Sequence, residues 1–147
     1  MPVYLLDTNV LLRLVNAAAE GSRHAVAAVS RILRRNEECF LTPQVLIEFW
    51  CVATRPIAAN GLGWDPAKVR LEMDRLLYQF PLLEETPAIF DRWLAIVTSH
   101  SARGKRVHDV RLIAVMQAHK VTHLLTFNTG DFPPTQDVTL VHPEQVR

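Results

Sequence analysis

The sequence predicts an α/β fold of three layers, a mostly parallel sheet of about five strands between helices. Three observations lead there. Short apolar runs alternate along the chain with amphipathic stretches of helical period. Several of those stretches open on a capping residue followed by proline, as in Thr42-Pro43 and Asp65-Pro66. No internal repeat, low-complexity tract or Gly/Ser-rich linker divides the 147 residues, so one domain spanning 1–147 is expected. A chain of this length buries roughly two thirds of the surface its unfolded form exposes, enough for a self-sufficient core.

Val3 to Leu6 is a short apolar run ending at Asp7 and reads as a buried strand. Val10, Leu11, Leu14 and Val15 then recur at helical spacing, with Asp7 or Thr8 as the cap. Gly21 interrupts the pattern. His24 to Arg35 reads as a second helix whose Arg31, Arg34 and Arg35 suit the negative end of its dipole. Cys39 to Leu41 is the second strand, and Pro43 to about Arg55 the third helix, ended by Pro56. Asn60 to Gly63 is a loop. Further helices run from Pro66 to about Tyr78, from Pro87 to about His100 and from Asp109 to about Lys120. The remaining strands are Phe80 to Leu83, His123 to Thr126 and Val138 to Val141, with a basic loop over Ser101 to Arg106.

The net charge of +1 makes no whole-chain electrostatic case for nucleic acid, so any such case rests on local clustering. Cys39 and Cys51 lack metal-ligand or redox spacing and read as two buried, reduced thiols. The start Met-Pro-Val-Tyr-Leu-Leu-Asp has no basic n-region, and no stretch approaches the roughly 18 apolar residues of a membrane span, so the cytosol is expected.

Ligands of open parallel sheets bind beyond the carboxyl ends of the strands, at a switch in strand order. Asp7 stands there, directly after the first strand. Glu48 lies early in a helix that follows the second strand, and so can face the same crevice. Asp131 falls a few residues beyond the strand ending near Thr126. Asp109 opens a helix that leads into that strand, and spacing alone does not bring it to the common edge. Glu48 is set within Val45-Leu46-Ile47-Glu48-Phe49-Trp50, where a carboxylate on a half-buried face calls for a partner charge or a metal. An exposed stripe with Arg55 as partner also explains it. Asp7 and Asp109 are equally readable as helix caps, and Asp131 as a turn residue.

Leu6-Asp7-Thr8-Asn9, the isolated Glu48, the segment His108 to Ala114 and the segment Leu125 to Phe132 together resemble PIN-domain ribonucleases. The resemblance runs from about Val3 to Val141 and is strongest to the VapC-type toxin of type II toxin–antitoxin pairs. It implies a PIN-like fold, with metal-binding catalytic acids at Asp7, Glu48, Asp109 and Asp131, and either Asp131 or Asn128 completing the set. Thr8, Asn9 and Thr126 match positions that orient water or the acids. The resemblance also implies an RNA substrate, one or two Mg2+ or Mn2+ ions, a small antitoxin and a homodimer.

That chemistry needs such residues. Hydrolysis of a phosphodiester requires charge stabilisation and an activated water, and hard divalent cations prefer carboxylate and water oxygens. Two carboxylates about 5 Å apart repel by roughly 3 kcal/mol at an effective dielectric of 20, so a cluster of four calls for protons or a cation. Arg103, Lys105 and Arg106, just before Asp109, are the expected phosphate-positioning residues, with Arg13 and Arg55 behind them. A receiver-like signalling domain is the alternative from another class, but its paired N-terminal acids are missing. A phosphatase of the haloacid dehalogenase type wants a second Asp where Asn9 stands. A PIN-like module that only binds RNA or protein is the third alternative.

Overall fold

The first strand, β1 (Val3–Leu6), lies inside the sheet, and that placement sets the rest of the architecture. In the computed structural model, which describes residues 1–135 and 137–147, the four named strands run in the order β2-β1-β3-β4. Here β2 is Glu38–Phe40, β3 is His123–Leu125 and β4 is Thr139–Val141. Every pairing is parallel, with Leu5 opposite Phe40 on one side and Leu124 on the other. Tyr4, Leu5 and Leu6 point alternately to the two faces and are all buried, as are Leu124 and Leu125. Both faces are therefore covered, which is why these strands read as unbroken apolar runs.

Among the described residues, six α-helices supply the cover: α1 (Thr8–Val15), α2 (Ser22–Arg34), α3 (Pro43–Thr54), α4 (Pro66–Gln79), α5 (Pro87–Ser99) and α6 (Arg106–His119). Their starts follow from local chemistry. Asp7 Oδ1 accepts from the Thr8 amide at 2.8 Å, Thr42 Oγ1 from the Val45 amide at 3.2 Å, and Asp65 Oδ1 from the Ala67 amide at 2.8 Å. Proline opens α3, α4 and α5, where its missing N–H costs nothing. Gly21 precedes α2 with φ +82°, a conformation L side chains resist. Phe49 of α3 and Ile113 and Met116 of α6 fill the core against the sheet.

Two expectations are corrected. The run Phe80 to Leu83 adds no full strand: it contributes one parallel bridge, Leu41 to Leu82, so the sheet has four named strands rather than five. Only Cys39 is a buried thiol, whereas Cys51 is exposed, with Arg55 Nη2 3.5 Å from its Sγ. Among the described residues, no helix is long and apolar enough to cross a membrane.

The chain passes from β1 out to β2 on one side, then back across to β3 on the other. The order thus switches between β1 and β3, and a crevice opens beyond their carboxyl ends. The residues at that mouth are Asp7 and Thr126.

Candidate active site

Asp7 is the anchor. It is 8% exposed, and its amide donates to Leu125 O at 3.0 Å, extending the β1–β3 ladder by one step. Its Oδ2 accepts from Thr126 Oγ1 at 2.7 Å and from Asn9 Nδ2 at 3.3 Å. Asn9 Nδ2 is also 3.1 Å from Thr126 Oγ1, and Asn9 Oδ1 accepts from the Phe127 amide at 3.0 Å. The Asn128 amide donates to Thr126 Oγ1 at 3.1 Å. Thr8, Asn9 and Thr126, singled out from the sequence as orienting residues, thus hold Asp7 or its neighbours by their side chains. Asn128 takes part through its backbone.

Glu48 comes to the same crevice from α3. Its Oε2 is 3.1 Å from Thr8 Oγ1, and its Oε1 accepts from Gln44 Nε2 at 3.3 Å. Thr8 Oγ1 is equally 3.1 Å from Val45 O, so its single proton serves the two acceptors in turn. Arg55, the partner that an exposed stripe would have used, lies instead by Cys51.

Asp109 reaches the site for a topological reason. A helix between two parallel strands runs antiparallel to both, so its first turn stands at their carboxyl ends whether it follows or precedes a strand. The helix begins at Arg106 rather than at Asp109, which puts Asp109 in its first turn with Lys105 as the cap residue. Asp131 sits in a single 3-10 turn, Thr129–Asp131, after β3 and is exposed.

The electrostatics report their proximity. Burial pushes the Asp109 carboxyl up to about 6, reinforced by the charges of Asp131, Asp7 and Glu48 and opposed by Arg106. Asp7 is also raised, by burial first, with Glu48 and Asp131 adding to it, but the bonds from Thr126 and the Thr8 amide hold it down. Asp109 is thus raised to about 6 although Asp7 is the more deeply buried acid. The four sequence-selected acids sense one another across one crevice. Of the basic loop, Arg106 is the residue whose charge reaches Asp109, while Arg103 and Lys105 lie exposed beside it. Arg13 is committed to the scaffold: it donates to Glu20 O and Asn9 O and stacks 4.3 Å over the Phe127 ring.

The donor set is all carboxylate, amide and hydroxyl oxygen, the chemistry a hard divalent cation prefers. Among the described residues, no three Asp, Glu, His or Cys side chains converge closely enough to enclose an ion unaided. These oxygen donors fit such a cation by their chemistry, and among the described residues they form no closed structural cage.

Sequence reasoning passed over Gln44, Glu85 and Arg111, which border Glu48 in a groove of about 480 Å³. Arg111 Nη2 pairs with Glu85 Oε2 at 2.6 Å, and Arg111 Nη1 is 3.3 Å from Gln44 Oε1. These contacts span 26 and 67 residues of sequence, and no periodic pattern announces them.

The fold agrees with the comparisons to known proteins. The chain belongs to the PIN domain family, whose model matches residues 4–134. No curated protein sequence matches it. Solved structures share the fold at low identity. VapBC2 from Rickettsia felis, bound to a DNA fragment from its promoter, is 14% identical with a TM-score of 0.68, over 95% of this chain and 98% of that one. A toxin–antitoxin complex from Klebsiella pneumoniae is 20% identical with a TM-score of 0.65, over 95% and 97%. VapC20 from Mycobacterium tuberculosis, described as a sarcin–ricin loop cleaving toxin, is 15% identical with a TM-score of 0.57, over 82% and 86%.

Proposed function

We propose that the chain is an endoribonuclease acting as one PIN domain across 1–147, the toxin of a toxin–antitoxin pair, hydrolysing RNA phosphodiester bonds with Mg2+ or Mn2+. The observation that carries this reading is the four-acid crevice at the switch point, where burial, reinforced by the neighbouring acids, raises Asp109 to about 6. Such a cluster is stable only when protonated or when positive charge enters it. Family membership supports the nuclease class, and the fold shared with toxin–antitoxin complexes supports the biological setting.

Asp7, Glu48, Asp109 and Asp131 would hold one or two ions, which when bound supply an activated water and stabilise the leaving oxygen. Asp7 is the fixed point: Thr126 and Asn9 lock its carboxylate, so its lone pairs stay aimed while the chain around it is rigid. Glu48 is held by Thr8 and Gln44 in the same manner. Arg106, with Arg103 and Lys105 on the rim, would position the phosphate and offset the charge that RNA brings to an acidic mouth. Burial beside the β1–β3 edge limits water around Asp7 and strengthens each of these interactions.

A small antitoxin and self-association are further parts of the proposal, as is action in the cytosol. The antitoxin and self-association are supported by apolar surface next to the site: Ile47, Trp50, Met73, Leu77 and Leu82 line a groove of about 520 Å³.

The deciding experiment is cleavage of total RNA by purified protein in Mg2+, Mn2+ or EDTA, beside Asp7→Asn, with the new ends mapped. Defined ends that need metal and vanish in the variant are expected. Equal cutting by both proteins, or binding without cutting in any metal, would sink the nuclease reading.

A further inference from the structure

Gln44 occupies a position where every hydrogen-bonding group of its amide is used. Its Nε2 is 3.3 Å from Glu48 Oε1 and 2.8 Å from His108 O, and its Oε1 is 3.3 Å from Arg111 Nη1. Both donors and one acceptor are thus engaged between α3 and α6, the two helices that carry Glu48 and Asp109. We infer that Gln44 is a positioning residue for Glu48, and that Arg111 and Glu85 fix which way its amide faces. The inference rests on the metal-dependent reading above.

The orientation is dictated by donor and acceptor type. An amide flip would turn the Gln44 oxygen toward a carboxylate and a backbone carbonyl, neither of which can donate, and its NH2 toward a guanidinium, which cannot accept. Arg111 therefore selects the orientation in which NH2 faces Glu48. Glu85, 2.6 Å from Arg111 Nη2, holds the guanidinium in place and neutralises it. The second proton of the Gln44 amide ties it to His108 O, one residue before Asp109, so the α3 and α6 first turns are kept at a fixed separation. A carboxylate held this way loses less rotamer freedom when it takes up a cation.

The test is Mn2+ titration of EDTA-stripped protein, parent against Gln44→Leu, read by calorimetry. Melting temperature in EDTA and kinetics on a cleaved RNA accompany it. Partners of a ligand shell are typically worth about 10–100-fold in metal affinity. Gln44→Leu is expected to weaken Mn2+ about tenfold and lower kcat, with KM for RNA and the melting temperature in EDTA unchanged. Arg111→Met, which keeps Gln44 but frees its amide, is expected to weaken Mn2+ by a smaller factor and decides the matter if Gln44→Leu does not fold. Unaltered Mn2+ affinity in a folded variant overturns the assignment, as does a loss matched by lower melting in EDTA. A parent protein that binds no Mn2+ overturns instead the metal-dependent reading on which the assignment stands.

Discussion

Thr126 Oγ1 lies 2.7 Å from Asp7 Oδ2, joining by one hydroxyl the carboxyl ends of the two central strands. The bond is buried and serves the charged form of the carboxylate. Thr126→Val keeps the shape and removes the donor, leaving a buried acceptor short of a partner. A loss of about 1–3 kcal/mol in unfolding free energy is expected at pH 7. Urea denaturation checks it, with a smaller loss at pH 4, because burial raises the Asp7 carboxyl and so favours its protonated form in acid. An equal loss at both pH values would show that the hydroxyl matters only for packing.

Acid titration should run opposite to the usual pattern. Asp109 is raised from 3.8 to about 6 in the folded chain, and Asp7 is raised as well. Between those two values the folded state binds more protons than the unfolded one, so metal-free stability falls as pH rises through the window. Because solvent screens a partly exposed group, the effect is of order 1 kcal/mol, or a few degrees in a chain of this size. Melting in EDTA at pH 5 and pH 7.5 tests the sign, and higher melting at pH 7.5 contradicts it.

Removing an acid should separate stability from function. Asp109→Asn eliminates one repelling charge and is expected to raise metal-free melting at pH 7.5 while abolishing RNA cleavage. In the parent, Mn2+ at about 100 times its dissociation constant should add about 2.7 kcal/mol, and Asp7→Asn should forfeit most of that gain. Thermal melts with and without metal report both effects.

The basic rim predicts a salt signature. Each of Arg103, Lys105 and Arg106 that contacts a phosphate should contribute about 0.7 to the slope of log affinity against log salt on single-stranded RNA. Binding by the cleavage-deficient Asp109→Asn chain, with and without Arg106→Gln, measures this. An unchanged slope would remove Arg106 from the RNA contact.

Gly21 makes a backbone prediction. At φ +82°, a Cβ would stand 3.0 Å from Phe127 Cε1 and 3.2 Å from Arg13 Nε, where the Arg13–Phe127 stack is built. Gly21→Ala is expected to cost about 1–2 kcal/mol in chemical denaturation from the left-handed backbone. A neutral result would mean that the turn rearranges freely.

What the sequence made legible was local. Thr42-Pro43, Asp65-Pro66 and Pro87 marked helix starts because a cap and a proline act within one turn. Val3 to Leu6 was readable because both faces of β1 are buried. Phe80 to Leu83 misled because a short apolar run looks the same whether it forms a ladder or, as here, a single bridge. The structure brings Asp7, Glu48, Asp109 and Asp131 within electrostatic reach of one another, yet Asp109 needed the direction of α6 to be placed. Gln44, Glu85 and Arg111 meet only in three dimensions.

The separation of β1 from β3 has a consequence for synthesis. Thr126 and Asp7 are 119 residues apart, so a nascent chain carries its first acid long before the strand that completes the mouth exists. Contacts so distant in sequence form late, after loop closure over nearly the whole chain. Until residues 123–131 leave the ribosome, Asp7 lacks the hydroxyl that locks it and the acid that faces it. A half-made copy therefore lacks the assembled crevice, and a chain truncated before Thr126 never gains it.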